Sequence, residues 1–166
     1  MGTEFNADEV LAMAERIERN GQGFYLMASR VVSDRSVSAL LSELGVWEKG
    51  HEALFAGMRK RLTPEQRTST AIDPYDETFL YLSAMADDHV FARDDLDPAT
   101  ILKQGMSPEE VLNLAIKFEK ESILFFLGLK RMVPARLGAD EVEKVITEEI
   151  GHMAYIEKKK REMKRA

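Results

Sequence analysis

Apolar side chains recur at alternating steps of four and three residues through positions 10–31, which is the spacing of one face of an α-helix. Asn6 followed three residues later by Glu9 is a capping-box pattern, which marks a helix start. Together these features predict a first long helix over about 6–32. A second apolar series with the same period predicts another helix over about 36–62.

The pattern changes after residue 62. Polar residues and two prolines predict a connection over 63–75. A shorter helix is expected over about 78–91, followed over 92–107 by a loop with at most one weak turn.

Helical periodicity returns at Ser107, a capping residue followed by Pro108 and, three residues on, by Glu110. This start predicts a helix over about 108–132 that ends before the next proline. A last helix is expected from near Asp140 into the basic C-terminal tail.

Four long helices without strand alternation predict an all-α fold. Helices joined by short loops pack as antiparallel hairpins, and a long central connection lets the second hairpin run in the direction that completes a bundle. We therefore expect a single domain over 1–166 with a ferritin-like four-helix bundle. Hairpin one would occupy 6–62, a crossover with a short helix 63–107, and hairpin two 108–166.

The two predicted hairpins match one another at a fixed offset of 101 residues. Over positions 11–55 this offset gives 12 identical pairs in 45 positions without a gap, among them Glu18/Glu119 and His51/His152. We expect two hairpins of one kind that pack with pseudo-twofold symmetry.

Composition narrows the possible chemistry. The 166 residues include no cysteine, which excludes disulfides, Cys-ligated zinc, iron–sulfur clusters and thiol catalysis. No apolar run approaches the roughly 20 residues that span a bilayer, and the acidic N-terminus does not resemble a signal peptide, so we expect a cytoplasmic protein. The net charge is −6 although the last ten residues are basic, and the acidic body favours a cation-binding interior over a nucleic-acid surface. The basic tail is either a solvated helix end or a contact for an anionic partner.

Six polar residues interrupt columns of side chains that are otherwise apolar above and below, because residues seven apart on a helix nearly overlie each other. Burying four carboxylates together is prohibitive unless cations cancel their charge, and two divalent metal ions would do so. A lone Glu on each of two helices, with Glu-x-x-His on each of the other two, is the ligand pattern of di-metal carboxylate bundles. One Glu-x-x-His is a weak signal, whereas two in register, each 30 residues after a Glu, are a strong one. The predicted metal ligands are Glu18, Glu48, His51, Glu119, Glu149 and His152.

These stretches resemble the rubrerythrin branch of the ferritin-like di-iron carboxylate superfamily. The matching segments are 18–25 (ERNGQGFY), 47–52 (WEKGHE), 118–126 (FEKESILFF) and 148–152 (EEIGH). The resemblance implies a cofactor of two iron ions and a reaction with peroxide or oxygen. From the ligand types alone, manganese and zinc also remain possible.

The chain departs from that family in two respects. Peroxidase members usually have a further Glu one turn after the acid of the third long helix, and Ser122 stands at that position. The usual rubredoxin tail is absent, so electrons would come from a separate donor such as a rubredoxin or a reductase. The first difference weakens the case for peroxidase activity, though not for metal binding.

Tyr25 lies two turns beyond Glu18 in the same column and is a candidate to hydrogen-bond a ligand carboxylate without itself binding metal. The alternative is a core tyrosine whose hydroxyl is satisfied elsewhere. The equivalent residue in the second hairpin, Phe126, cannot take this role. Glu15 is either an extra acid near the site or, as we expect, a partly exposed helix residue.

Other polar residues near the ligands are expected to be structural or solvated. Glu121 and Glu148 lie on neighbouring helix faces and are expected in solvent. Residues 87–89 (DDH) look like a metal sequence, but adjacent helix residues point about 100° apart, so we expect them at the surface. Trp47 is expected to pack between helices.

Three functions fit these residues. The first is an oxidoreductase that reduces peroxide or oxygen. The second is a metal-binding or iron-handling protein without turnover, and the third is an interaction module whose metal is a structural cross-link. We expect a homodimer, with no nucleic-acid or membrane partner.

Overall fold

The computed structural model describes residues 6–68, 77–93, 96–133 and 135–165. Within these ranges every regular element is a helix. Short 3₁₀ turns occur at Val90–Ala92, Pro98–Thr100 and Ala135–Leu137. The α-helices are α1 (Ala7–Val31), α2 (Arg35–Lys60), α3 (Pro64–Thr68), α4 (Glu77–Asp88), α5 (Pro108–Met132) and α6 (Ala139–Met163).

The predicted helix starts are present. Asn6 and Glu9 form a reciprocal capping box at α1, and Ser107 and Glu110 form another at α5. Asp34 caps α2 by accepting hydrogen bonds from the backbone of the next turn. These caps satisfy amide groups that a helix start otherwise leaves without partners.

Two boundaries differ from the sequence prediction. The crossover was expected to begin with a connection over 63–75, yet it begins with the one-turn helix α3. The second difference is in α4, which ends at Asp88 and is followed by the 3₁₀ turn Val90–Ala92, where one helix over 78–91 was expected. Tighter turns at a helix end are common, and periodicity does not distinguish them from the helix itself.

The four long helices form a bundle, as predicted. Helix α1 packs against α2 and α5 against α6, while α1 also contacts α5 and α2 contacts α6. The bundle encloses one continuous apolar core that includes Phe24, Phe55, Phe125 and Phe126. Among the described residues, no helix combines the length and the apolar character needed to cross a membrane.

The 3₁₀ turn Val90–Ala92 attaches the crossover to α1. Asn20 Nδ2 donates to the Phe91 carbonyl at 2.7 Å, and Arg16 Nη1 donates to the Ala92 carbonyl at 3.2 Å. The Phe91 ring is buried against Phe24 and Phe118. At Gly21 the Phe91 ring lies 3.4 Å from where a Cβ would stand, which is an ordinary contact distance. The crossover therefore closes over the helix that carries the first predicted ligand.

Candidate metal centre

All six predicted ligands meet in the middle of the bundle. Each of the four long helices contributes at least one of them, and none of the six is more than 5% exposed. The apolar residues one and two turns away on each helix fill the core above and below this level. The contributions are Glu18 from α1, Glu48 and His51 from α2, Glu119 from α5, and Glu149 and His152 from α6.

One group of potential ligand atoms surrounds His51, and we name it position A. His51 Nδ1 lies 3.5 Å from Glu18 Oε2, 3.5 Å from Glu48 Oε2 and 2.9 Å from Glu149 Oε1. One ligand atom from each of these four residues lies within 4.8 Å of the others. This spacing is suited to a single cation.

A second group surrounds His152, and we name it position B. His152 Nδ1 lies 3.6 Å from Glu48 Oε1, 3.5 Å from Glu119 Oε2 and 2.7 Å from Glu149 Oε2. Glu48 and Glu149 therefore present one oxygen to each position, as bridging carboxylates do. Glu18 belongs to position A alone and Glu119 to position B alone.

Unsatisfied polar atoms show that the donor set fits metal ions. Glu18 Oε1, both Glu149 oxygens and the Nδ1 atoms of His51 and His152 are buried without a hydrogen-bond partner among the described residues. The short nitrogen–oxygen distances are not aligned as hydrogen bonds. Buried polar atoms that are left unpaired are costly. Cations among these atoms would remove that cost, because carboxylate and imidazole are ordinary ligands of iron, manganese and zinc.

Without metal, the cluster would retain protons. Burial, followed by repulsion from Glu48, raises the pKa of Glu18 well above its usual range, and burial raises the pKa of Glu119 to about 8. Burial lowers the pKa of His51 and His152, but attraction to the surrounding carboxylates is stronger, so the pKa of His51 rises and that of His152 reaches about 10. Metal binding at neutral pH must therefore displace protons.

Tyr25 contacts the cluster from α1. Its hydroxyl donates to Glu119 Oε1 at 2.5 Å, and both groups are buried. Burial, together with the charge of Glu119, raises the pKa of Tyr25, so the phenol keeps its proton and remains a donor. Phe126 occupies the equivalent place in the second hairpin, so the two positions differ in this contact.

Replacing Tyr25 by phenylalanine tests the importance of this donor. The variant keeps the ring but removes the hydroxyl, so the Glu119 carboxylate is no longer held in one orientation. We therefore expect metal at position B to bind about 10-fold more weakly. Calorimetric titration of the apo protein measures the change. Phe126→Tyr is the matched control, because it adds a hydroxyl at the equivalent position on α5. Equal affinity of wild-type and Tyr25→Phe protein would contradict the assignment.

Two further residues contact the histidine ligands directly. Glu148 Oε2 lies 2.7 Å from His51 Nε2, although 60% of the Glu148 side chain is exposed, as expected for a solvated residue. Trp47 belongs to α2, and its ring stacks on that of His152 in α6 with centroids 4.9 Å apart. Trp47 is nevertheless 40% exposed. Neither residue was predicted to belong to the site. The signal available was the repeat, which pairs position 47 with position 148.

The expectation that residues 87–89 lie at the surface is wrong for His89, which is 1% exposed, whereas Asp87 is exposed. His89 Nδ1 accepts a hydrogen bond from the Phe91 amide, so Nε2 carries the proton and donates to Ser122 Oγ at 3.2 Å. Burial lowers the pKa of His89 to about 4, so the ring is neutral at pH 7. The signal was its position seven residues after buried Leu82 on one helix column.

Two acids near the site are now placed. Glu15 is partly exposed, as expected, and its Oε1 lies 3.5 Å from Arg59 Nη1. Glu121 was expected in solvent, but its side chain is 22% exposed and lies 3.6 Å from both Lys117 Nζ and His89 Nδ1. The crossover covers this part of α5, which the periodicity of α5 alone does not reveal.

Comparisons with known proteins support the fold. No family model matches the chain, and no curated protein matches it. A solved structure from Thermotoga maritima, described as a candidate ferritin-like diiron-carboxylate protein, matches with a TM-score of 0.73 and 24% sequence identity. The match covers 96% of this chain and 97% of that one. The bundle is therefore ferritin-like, as predicted, and it encloses a Glu/His cluster that could bind metal.

Proposed function

We propose that this ferritin-like bundle is a non-haem di-iron protein of rubrerythrin-like type that reduces peroxide or oxygen. The observation that supports the proposal is the pair of adjacent positions that share Glu48 and Glu149. Shared carboxylates would hold two ions close enough to act on one small molecule. Bound iron would supply the two electrons that, with two protons, reduce one peroxide to two water molecules.

The chain's own residues would hold and balance the ions. His51 and His152 each fix one position, while Glu18 and Glu119 provide one terminal carboxylate each. The Tyr25 hydroxyl orients Glu119 by donating to its Oε1. The apolar side chains packed above and below the cluster limit the access of bulk water.

Electrons for repeated turnover would come from a separate donor. The chain has no cysteine, so it cannot itself hold a rubredoxin iron. A one-electron donor protein such as a rubredoxin, or a reductase, would have to deliver two electrons for each peroxide reduced.

Ser122 favours a second candidate, a metal-binding or iron-handling protein without turnover. Where peroxidase relatives have an acid, this chain has a buried hydroxyl that accepts from His89. A serine hydroxyl is a poor iron ligand, so no fifth carboxylate is available at this place to follow a moving ion.

Reaction of the reduced protein with peroxide distinguishes the two candidates. We expect the iron-loaded protein, reduced without oxygen and mixed rapidly with peroxide, to be oxidised once, and to cycle only when a donor is added. Stopped-flow absorbance of the ferric centre measures this. A reduced centre that reacts with neither peroxide nor oxygen would leave the metal-binding candidate in place of the oxidoreductase.

The same assay tests position 122. Ser122→Glu supplies the missing acid beside the neutral His89 ring, and we expect it to accelerate the single oxidation step. Ser122→Gln has the same size without the charge and serves as its control. Equal rates for the two variants would show that bulk, not a new ligand, changes the reaction.

A further inference from the structure

We infer that the two metal positions are unequal: position A fills first and holds its ion, while position B is the weaker and exchangeable one. The difference arises from Glu148 and Trp47, which lie next to the two ligand histidines. The inference rests on the proposed metal centre and extends it to the order of metal loading.

The predicted ligands themselves give no reason for unequal positions. Each position has one histidine, one glutamate of its own and the same two shared glutamates. The offset of 101 residues relates His51 to His152 and Glu18 to Glu119. Any inequality must therefore come from residues outside this set. Tyr25 is one of them, and because it orients Glu119 it strengthens position B. The effects of Glu148 and Trp47 act in the opposite direction and must outweigh it.

The offset also relates Trp47 to Glu148, and at this pair the repeat is chemically broken. Helix α6 presents Glu148 to His51 on α2, whereas α2 presents Trp47 to His152 on α6. Each histidine is thus contacted on the side away from the cluster by a residue of the other hairpin. One of these residues is a carboxylate and the other is an indole ring.

Glu148 prepares His51 to bind a cation. Its Oε2 accepts a hydrogen bond from Nε2–H of His51, with Nε2 and Oε2 2.7 Å apart. The lone pair of the neutral ring is then on Nδ1, which faces position A. A carboxylate in this place also makes the imidazole a stronger base and fixes the ring plane. Because most of the Glu148 side chain is in solvent, its own charge is not costly to maintain.

His152 has no such acceptor in the described part of the chain. Its ring lies between Trp47 and His51, with ring centroids 4.9 Å and 5.6 Å away and interplanar angles of 17°. Stacking holds the ring plane without selecting which nitrogen carries the proton. Position B therefore binds its ion with a less prepared ligand.

Position B also lies closer to an opening. A surface cleft of about 470 Å³ is lined by Trp47, Glu148, Gly151 and His152. His51 does not line this cleft. An ion at position B can therefore exchange through the cleft with less rearrangement than an ion at position A.

Calorimetric titration of the apo protein with Co²⁺, monitored in parallel by visible absorption, tests the inference. We expect two binding steps with dissociation constants at least about 10-fold apart. His51→Ala should abolish the tight step and His152→Ala the weak one. Glu148→Gln should weaken the tight step about 10-fold and leave the weak step unchanged, because an amide oxygen is a poorer acceptor.

One further variant is a control, and a second tests the reverse change at position B. Glu143 is an exposed acid on α6 that pairs with Lys130 and contacts neither histidine, so Glu143→Gln is the control. We expect both binding steps to stay as in wild type. Trp47→Glu creates the missing carboxylate beside His152 and should tighten the weak step. Melting of the apo variants checks that the fold is retained.

The outcomes separate this inference from the proposed centre. Binding of two ions with equal affinity, or equal weakening of both steps by Glu148→Gln, would overturn the inference and leave the di-metal centre intact. Absence of any Co²⁺ binding to the folded wild-type protein would overturn the centre itself.

Discussion

Replacing both His51 and His152 by alanine is expected to reduce the metal content from about two ions per chain to nearly none. Each position loses its nitrogen ligand, and the remaining carboxylates repel one another without a neutral ligand between them. The protein is expressed in cells grown with iron, purified and desalted, and elemental analysis then measures the loss of metal.

His89→Ala is the matched control for this experiment. It removes the third histidine of the chain, which is also buried but hydrogen-bonds Ser122 rather than the carboxylate cluster. We expect this variant to keep its metal. If the double variant kept two ions per chain, the predicted ligands would be wrong.

Replacing Glu18 and Glu119 together by glutamine is expected to stabilise the apo protein while weakening metal binding. The pKa of Glu119 is about 8 in the folded apo protein and 4.5 in the unfolded chain, so at pH 7 Glu119 must take up a proton when the chain folds. Since one pKa unit corresponds to about 1.4 kcal/mol, removing this proton requirement stabilises the fold by on the order of 3 kcal/mol. The amide oxygen of the new side chain at position 119 can still accept from Tyr25, so that hydrogen bond is retained.

The metal-free wild-type protein should lose stability as the pH rises from about 5 to 8. The folded pKa of Glu119 is about 8 and that of His152 about 10, both above their values in the unfolded chain, so the folded state binds more protons over this range. Metal-bound protein should behave in the opposite way, because protons compete with the ions. The difference in melting temperature between holo and apo protein should therefore shrink towards pH 5.

Thermal melting of apo and holo protein at several pH values measures both effects. The double glutamine variant should show a flatter dependence on pH when it is metal-free. Glu109→Gln together with Glu143→Gln is a suitable control, because both acids are exposed. Apo and holo proteins that melt alike at every pH would argue against a buried cluster of carboxylates.

The sequence predicts most of the fold because each long helix has one continuous apolar face. That periodicity, with the capping boxes at Asn6 and Ser107, indicates where the bundle helices lie. The six cluster residues were predictable because a carboxylate or imidazole inside an apolar column requires an explanation. The structure brings all six together at one level of the bundle.

Contacts between separate elements were not predictable in the same way. His89 is buried because the crossover folds back onto α5, and helix period says nothing about where a crossover lies. Glu148 was expected in solvent and Trp47 between helices, so neither was predicted to contact a ligand residue. Each instead reaches a histidine on the opposite hairpin, which depends on how α2 and α6 pack.

The crossover has a consequence for how such a centre can evolve. Each position takes three residues from one hairpin and one from the other, so a homodimer of a single hairpin would build two identical positions. In that homodimer, every substitution beside one histidine would also appear beside the other. A duplicated gene joined through a crossover removes this constraint. The two copies can then keep the same six metal-binding residues while the residues at 47 and 148 diverge, so that one ancestral site gives rise to two with separate roles.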